Sequence, residues 1–250
     1  MPREKWGLVH PDKPVAFYDE MAVNRPKEGG VELSVIDYTH NGITPGTLVR
    51  NYENELQNIP FGVGLIRCNE LFSYGHYKAE VILPTGALNW SAFWLWSANT
   101  SWLPEIDIFE AYTNKNGSYF KPRLKKPFGF WNIQTNVHYR HEDENKSVGG
   151  ETSYIPPFCT NPTNQTIKVE MLWHPEFIAI YYNDRLVRNI YDSEVLKSIN
   201  NSNPNGGKPE MQLIFNNMVI PEPYNNKKAT PHEISNGRPF TVKSFKYRSI

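Results

Sequence analysis

Cysteine is scarce in this sequence, with only Cys68 and Cys159 among 250 residues and no Cys-x-x-Cys pair. This scarcity excludes a disulfide-rich scaffold, and neither cysteine has the spacing of a metal-binding or redox motif. We expect both thiols to be free and buried, although a bond between them stays open as an alternative.

An excess of charge of either sign is also missing, because 26 Lys and Arg residues balance 26 Asp and Glu residues. A balanced chain lacks the basic field that nucleic-acid binding and polybasic membrane attachment need, so neither nucleic acid nor a membrane is an expected partner. No apolar run approaches the roughly 20 residues of a membrane helix. We find no signal-peptide core at the N-terminus, so a cytoplasmic location is expected unless a leader was removed. In that case the protein is secreted, periplasmic or at the cell surface.

Aromatic, β-branched and turn-forming residues are abundant, whereas long helical periodicity is absent, which is typical of an all-β protein. Period-two alternation predicts strands at residues 75–83, 166–173, 178–182, 185–190, 211–215 and 240–247. Asn183-Asp184 predicts a tight hairpin turn, and a change of phase in the last strand predicts a bulge near Ser244. Residues 192–200 predict one short helix whose N-cap is Asp192 or Ser193.

Many short strands separated by Gly, Pro and Asn turns favour a sandwich or a barrel. Residues 113–129 and 140–164 are predicted to be long loops. The sequence shows no internal repeat and no linker, which favours a single domain over residues 1–250. Roughly the first 30 residues are expected to form an irregular or strand-bearing arm.

Three carboxylates stand close together in the segment Glu-Ile-Asp-Ile-Phe-Glu, at Glu105, Asp107 and Glu110. In a regular strand the first two share one face and the third falls on the other face. One bulged residue, at Ile108 or Phe109, would bring all three together. Crowded carboxylates raise one another's pKa values, and a retaining glycosidase needs two such groups about 5 Å apart. A solvated strand face is one alternative, and a Ca²⁺ or Mg²⁺ site completed by a nearby His is another.

Tryptophans precede the three acids along the chain, at Trp90, Trp94, Trp96 and Trp102. Aromatic rings offer rigid apolar faces that can stack on the C–H surface of sugars. The first three share one strand face, and three rings there can hardly all line a cleft. We predict that Trp90, Trp94 and Trp102 line it, and that Phe93 packs in the core.

These residues lie within a longer series of matches that resembles glycoside hydrolase family 16, over residues 62–247. Its members share a strand with the pattern Glu-x-Asp-x-x-Glu. The other matching stretches are residues 72–81, 84–86, 92–95, 136–138, 170–175, 178–184, 211–216 and 240–247. The resemblance implies a concanavalin A-like β-jelly-roll sandwich of two antiparallel sheets, with a concave cleft for the substrate.

The resemblance also implies roles for particular residues. Glu105 would be the nucleophile, Glu110 the acid/base and Asp107 an assisting acid. His138 would support the network around the acid/base, and Asn216 would face the sugar. The six-residue spacing of the acids is that of the bulged branch, which contains laminarinases, agarases, porphyranases and carrageenases.

Two departures from the laminarinase pattern make the substrate uncertain. Trp102-Leu103-Pro104 precedes Glu105 without the usual Gly, and Asn217-Met218-Val219 replaces a Gly-rich stretch. The resemblance therefore implies a retaining, endo-acting hydrolase of a β-linked polysaccharide, either a β-galactan (agar, porphyran or carrageenan) or a β-1,3-glucan.

Several alternatives stay open beside that hydrolase. They are a non-catalytic lectin-like carbohydrate-binding module, a transglycosylase on the same scaffold, and a glycanase component of a structure such as a phage tail. No cofactor or metal at the site is expected for the chemistry, although relatives allow a structural Ca²⁺. The expected partner is the polysaccharide, and the expected oligomeric state is a monomer.

Overall fold

The computed structural model describes residues 16–38, 48–50, 56–58, 60–97, 103–121, 130–131, 133–142, 144–152, 162–203, 205–220 and 229–250. Trp102 and Cys159, which were singled out in the sequence, lie outside these ranges. The strands, in chain order, are β1 (Ala16–Tyr18), β2 (Val23–Asn24), β3 (Val31–Leu33), β4 (Val35–Asp37), β5 (Leu48–Arg50), β6 (Leu56–Asn58), β7 (Phe61–Val63), β8 (Leu65–Phe72), β9 (Gly75–Ile82), β10 (Asn89–Ser97), β11 (Glu105–Tyr112), β12 (Phe120–Lys121), β13 (Phe130–Trp131), β14 (Ile133–His141), β15 (Glu144–Thr152), β16 (Ile167–His174), β17 (Phe177–Tyr182), β18 (Arg185–Ile190), β19 (Met211–Val219) and β20 (Phe240–Ser249).

Two large antiparallel sheets contain most of these strands. The six-stranded sheet has the order β15-β14-β11-β10-β19-β8, and the seven-stranded sheet has the order β18-β17-β16-β9-β20-β3-β2. The described residues also form the α-helices α1 (Ser193–Asn200) and α2 (Pro231–Ser235). This arrangement confirms the predicted all-β sandwich. No helix in the described part of the chain is long and apolar enough to span a membrane.

The hydrophobic core lies between the two sheets. Alternation along each strand sends one set of side chains inward, where Tyr77 and Trp173 of the seven-stranded sheet meet Phe93 and Phe215 of the six-stranded sheet. The rings of Phe93 and Phe215 stack with centroids 4.4 Å apart. Phe93 is fully buried, as predicted. Truncation of one such ring to alanine typically costs about 3–5 kcal/mol of stability.

The predicted local features of the two large sheets and of α1 are confirmed. All six predicted strands are present, with ends that differ by a few residues. Asn183 and Asp184 take positive φ angles of 47° and 64°, as a tight hairpin turn between β17 and β18 requires. The pairing of β20 with β9 shifts between Val242 and Ser244, which is the predicted bulge. The Asp192 carboxylate caps α1 by accepting from two backbone N–H groups.

The predicted loop over residues 140–164 is wrong in its first half. There β14 continues to His141, and β15 pairs with it along its whole length from Ile133–Thr152 to His141–Glu144. β15 is polar and contains two glycines, so it carries little of the alternation that marks a strand in sequence. As an edge strand it is held by main-chain hydrogen bonds to β14, and such bonds leave no pattern in the side-chain sequence. The loop predicted at 113–129 contains the two-residue strand β12 in its described part.

A smaller sheet of order β1-β7-β4 extends the sandwich at one end. Ala16, Val35 and Val63 of this sheet form a second apolar cluster with Met218 of β19, and Trp90 of β10 packs against that cluster. Residues 16–30 of the expected N-terminal arm thus carry the strands β1 and β2. The cluster therefore packs against the start of β10 and the end of β19, two strands that carry residues of the candidate site.

The Cys68 thiol is free, and it is half-buried instead of fully buried. Partial burial and the neighbouring Glu70 raise the pKa of this thiol, which keeps it in the unreactive protonated form.

Candidate active site

The predicted bulge is present in β11, the strand that lies between β10 and β14 in the six-stranded sheet. On the β10 side, Phe93 pairs with Phe109 and Trp94 pairs with Asp107, which leaves Ile108 without a partner. The register against β14 shifts at the same place. This extra residue brings Glu110 to the face that already carries the first two acids, as the sequence predicted.

A tyrosine from the opposite sheet fixes the bulge from inside the core. Tyr182 of β17 is fully buried, and its hydroxyl lies 2.9 Å from the carbonyl oxygen of Ile108 and 3.1 Å from that of Gln134. A bulge frees a backbone carbonyl from the ladder, and a buried carbonyl needs a donor. The Tyr182 hydroxyl supplies that donor, so the bulge geometry is stabilised by the packing of one sheet on the other.

The outward side of the six-stranded sheet, which carries Glu105, Asp107 and Glu110, is called the acidic face below. On β10, Trp96 is paired with Glu105 and Trp94 with Asp107. On β14, His138, Asn136 and Gln134 are paired with Glu105, Asp107 and Glu110 respectively. Glu105 and Asp107 are therefore flanked by indole rings on one side, and all three acids are flanked by amide or imidazole groups on the other.

Glu110 is almost buried, with 5% of its surface exposed, and neutral groups donate hydrogen bonds to it. Its Oε1 accepts from Trp90 Nε1 at 3.0 Å and from the Tyr112 hydroxyl at 2.6 Å. Its Oε2 accepts from Gln134 Nε2 at 3.2 Å. Burial raises the pKa of Glu110, while these hydrogen bonds and the charge of His138 act in the opposite direction. The net effect is a raised pKa, so Glu110 keeps its proton to a higher pH than an exposed glutamate does.

Asp107 is equally buried, and its pKa lies well above the usual range for an aspartate. Burial is the largest cause, and the charge of Glu110 adds to it, while a hydrogen bond with Glu105 acts against it. Burial therefore favours the protonated form of Asp107, whereas the hydrogen bond with Glu105 favours its ionised form, and burial dominates.

His138 lies beside the first two acids. Its Nε2 is 3.4 Å from Asp107 Oδ2 and 3.8 Å from Glu105 Oε1, and its Nδ1 is 2.7 Å from Ser147 Oγ. The Asn136 Oδ1 accepts from the Val137 N–H, so its Nδ2 faces His138 Nε2 at 3.1 Å. His138 therefore contacts the Asp107–Glu105 pair directly, and acts on the third acid through its charge.

Glu105, Asp107 and His138 also form the one group in the described part of the chain with the composition and spacing for a metal ion. Their nearest ligand atoms all lie within 4.8 Å of one another. Two carboxylates and an imidazole suit several divalent cations. The same three groups also lie within ion-pair or hydrogen-bond distance of one another.

The described tryptophans of β10 are all half-exposed on the acidic face. Trp94 and Trp96 stack on each other with centroids 5.7 Å apart. Trp90 instead stacks on Tyr112 at 5.1 Å and donates its indole N–H to Glu110. The rings of Trp94 and Trp96 therefore form the larger aromatic surface beside the acids, whereas Trp90 is engaged with Glu110.

Asn216 of β19 is fully buried beneath this face. Its Oδ1 accepts from Trp94 Nε1 at 2.6 Å. Because an indole N–H can only donate, this contact fixes the amide orientation. The Nδ2 of Asn216 then has no hydrogen-bond partner among the described residues. A buried donor without a partner is costly, and a ligand oxygen would reach this atom only after the side chains that cover it moved.

Comparison with known proteins agrees with this geometry. Residues 37–215 match the sequence profile described as Glycosyl hydrolases family 16. The chain belongs to glycoside hydrolase family 16. It is therefore a glycoside hydrolase, and the resemblance drawn from the sequence is confirmed. No curated protein matches the sequence.

Solved structures share the fold of this family 16 chain at low sequence identity. One is described with endo-acting O-glycanases that members of the human gut microbiota express to initiate mucin breakdown; it has a TM-score of 0.69 and 16% identity, over 98% of this chain and 83% of that chain. LamAcat from Zobellia galactanivorans has a TM-score of 0.67 and 14% identity, over 100% of this chain and 88% of that chain. β-Agarase A from the same organism has a TM-score of 0.61 and 14% identity, over 95% and 79%. The shared architecture is the family's jelly-roll sandwich.

The residues predicted from the sequence to form the site did not include four that lie in the candidate site, namely Trp96, Tyr112, Gln134 and Asn136. Strand alternation contains a signal for each of them, because they lie two or four residues from a residue that was identified. Tyr112 follows Glu110 by two residues, and Gln134 precedes His138 by four. Their contacts depend on the register between strands, which the alternation alone does not fix.

Proposed function

We propose that this family 16 hydrolase cleaves a β-linked polysaccharide within the chain, with retention of configuration at the anomeric carbon. The observation that carries the proposal is the bulge at Ile108, which brings Glu105, Asp107 and Glu110 to one strand face. Two of the three are buried carboxyls with raised pKa values, and the third is hydrogen-bonded to one of them. Separated protonation states on adjacent carboxyls are what double displacement requires.

In the first step, the ionised carboxylate of Glu105 attacks the anomeric carbon and forms a glycosyl ester. The bond from that carbon to the glycosidic oxygen breaks, and the Glu110 carboxyl transfers its proton to the departing oxygen. Asp107 shares a hydrogen bond with Glu105, and it would donate to the Glu105 carboxylate as that group leaves. This makes Glu105 a better leaving group in the following step.

In the second step, the Glu110 carboxylate accepts a proton from a water molecule as that water attacks the anomeric carbon. The ester bond breaks, Glu105 leaves as a carboxylate, and Glu110 is again protonated. Two displacements at the same carbon restore the original configuration. Neither step needs a cofactor.

The sugar chain is proposed to lie along the acidic face. The stacked rings of Trp94 and Trp96 would support a sugar face beside Glu105 and Asp107, and the unpaired Nδ2 of Asn216 would donate to a sugar oxygen. His138 would border the same site. Trp90 would act through its hydrogen bond to Glu110. Trp102, which lies outside the described residues, stays a candidate for the cleft.

The substrate is proposed to be a β-galactan or a β-1,3-glucan. The bulged spacing of the acids supports this choice, and a β-agarase is among the similar structures. Because such polymers are too large to enter a cell intact, the enzyme is proposed to act outside the cytoplasm. It is also proposed to act as a monomer.

The test is a reducing-end assay on laminarin, mixed-linkage glucan, agarose, porphyran, carrageenans and mucin, with Glu105→Gln as the blank. Release from a polymer by the native enzyme, absent in the variant, supports the proposal and identifies the substrate. A rapid fall in the average chain length of the polymer shows endo action. Release only of single terminal sugars would contradict endo action, and equal release by Glu105→Gln would contradict the assigned nucleophile.

A further inference from the structure

The two carboxyl oxygens of Glu110 are held differently. Oε1 accepts two hydrogen bonds, from Trp90 Nε1 and from the Tyr112 hydroxyl, whereas Oε2 accepts one longer hydrogen bond from Gln134 Nε2. An indole N–H and an amide N–H can only donate. The Tyr112 hydroxyl can donate or accept, so the position of its hydrogen decides whether it donates to Glu110 Oε1.

Gln134 determines that hydrogen position. Its Nε2 lies 3.0 Å from the Tyr112 oxygen as well as 3.2 Å from Glu110 Oε2, and an NH₂ group has two hydrogens for these two contacts. The Tyr112 oxygen is thereby occupied as an acceptor, and its own hydrogen points to Glu110 Oε1 at 2.6 Å. Two donors on Oε1 leave Oε2 as the oxygen with room for a proton.

We propose that Tyr112 is a positioning residue for the acid/base, because its hydroxyl and the Trp90 indole occupy Oε1 of Glu110 and direct the transferable proton to Oε2. The inference rests on the role proposed above for Glu110. As Glu110 gives up its proton in the first step, negative charge develops on the carboxylate, and the Tyr112 hydroxyl stabilises it. A hydrogen bond to a charged group is about twice as strong as a neutral one.

Several titratable groups surround Glu110 besides Tyr112. Asp107 lies on the same strand, His138 on β14 and Tyr182 on β17, and the charges of these groups and of Glu110 act on one another. Among the influences that lower the pKa of Glu110, the hydrogen bond from Tyr112 is the largest. Loss of this hydroxyl therefore raises the pKa of Glu110 further.

The test is Tyr112→Phe, which keeps the ring stacked on Trp90 and removes only the hydroxyl. The alkaline limb of the kcat/KM profile, where the acid loses its proton, is expected to move up by about one pH unit. At the optimum, kcat is expected to fall about tenfold with little change in KM, since the lost interaction strengthens in the transition state. A ¹³C carboxyl NMR titration of Glu110 in the free protein is expected to move in the same direction as the alkaline limb.

Tyr247→Phe is the matched control. Its hydroxyl donates to the Tyr74 carbonyl at 3.0 Å on the seven-stranded sheet, so its loss should leave the pH profile and the titration unchanged. An unchanged Glu110 titration in Tyr112→Phe overturns the inference, even in an active enzyme. A shifted titration supports it even where no glycan in the panel is cleaved, because the titration needs no substrate. Gln134→Met, which frees the Tyr112 hydroxyl to rotate, should shift the titration in the same direction by a smaller amount.

Discussion

The outward sides of the two sheets both carry carboxylates, but in different company. On the seven-stranded sheet, Glu170 Oε2 lies 3.0 Å from Lys78 Nζ and 2.8 Å from His76 Nε2, and Asp184 lies 3.4 Å from Lys168. We call this side the paired face. On the acidic face, in contrast, the groups that hold Glu110 are an indole, a phenol and an amide, none of which is positively charged.

This difference separates a structural use of carboxylates from a chemical one. Cross-strand ion pairs on an exposed sheet neutralise the acids and contribute modestly to stability. Neutral donors in a buried setting hold a carboxyl in place, while burial raises its pKa and so favours its protonated form. The arrangement on the acidic face costs stability, and the bulge that creates it is maintained by contacts from the opposite sheet.

The largest effect is expected from the acids themselves. Glu105→Gln and Glu110→Gln should each lower kcat/KM by about 10²–10⁴-fold or more, since each removes a group that reacts. Reducing-end assays measure the loss, and circular dichroism checks that the fold survives. Glu170→Gln makes the same change on the paired face and should leave kcat/KM unchanged. Near-native activity in either acidic-face variant would refute the role of that residue.

The bulge can be perturbed from inside the core. Tyr182→Phe removes the donor to the Ile108 carbonyl, while Tyr119→Phe removes a comparable buried donor to the Pro84 carbonyl at 2.8 Å. Both should lose about 1 kcal/mol of stability. Only Tyr182→Phe should also lower kcat, by about ten- to a hundredfold, because small displacements of reacting groups are costly. Equal activity in the two variants would show that the bulge does not depend on Tyr182.

A smaller effect is expected at Asn216. Asn216→Ala removes the unpaired buried donor and the acceptor of the Trp94 indole N–H, so KM for oligosaccharides should rise about tenfold, the equivalent of one hydrogen bond. Asn189→Ala, on the exposed edge strand β18, is the control and should leave KM unchanged. If KM in Asn216→Ala stayed native, Asn216 would have no part in substrate binding.

The smallest effect is on stability, and it has opposite signs on the two faces. Because burial raises the pKa of Asp107 in the folded state, its contribution to stability is complete below the unfolded pKa of about 3.9 and is lost as pH rises through the folded pKa. Asp107→Asn should therefore be more stable than the native protein by about 1 kcal/mol at pH 8, with no difference below about pH 4. Glu170→Gln should be slightly less stable at pH 8. Urea denaturation over this pH range measures both, and a destabilised Asp107→Asn would contradict the cost assigned to the acidic face.

The bulge could be predicted because the pattern within one strand contains it. Ile106 and Ile108 had to face the core, and only an extra residue returns Glu110 to the side of Glu105. The turn at Asn183 and the cap at Asp192 were predictable for the same reason, since each depends on residues adjacent in the chain.

Contacts between distant strands could not be derived in this way. The pairing of Gln134 with Glu110 depends on the register of β14 against a bulged partner, and the pairing of β15 with β14 involves a strand with few apolar residues. Neither relation is contained in local alternation. Asn216 was identified through the family resemblance, and its unpaired Nδ2 became visible only once Trp94 was placed against it.

The most direct test of the double displacement is the configuration of the first products. Proton NMR at early times, on the polymer that the enzyme cleaves, distinguishes the anomers of the new reducing ends before they equilibrate. With Glu105 as nucleophile and Glu110 as acid/base on one face of β11, the β configuration should appear first. Initial appearance of the α anomer would show inversion, and would contradict the covalent step assigned to Glu105.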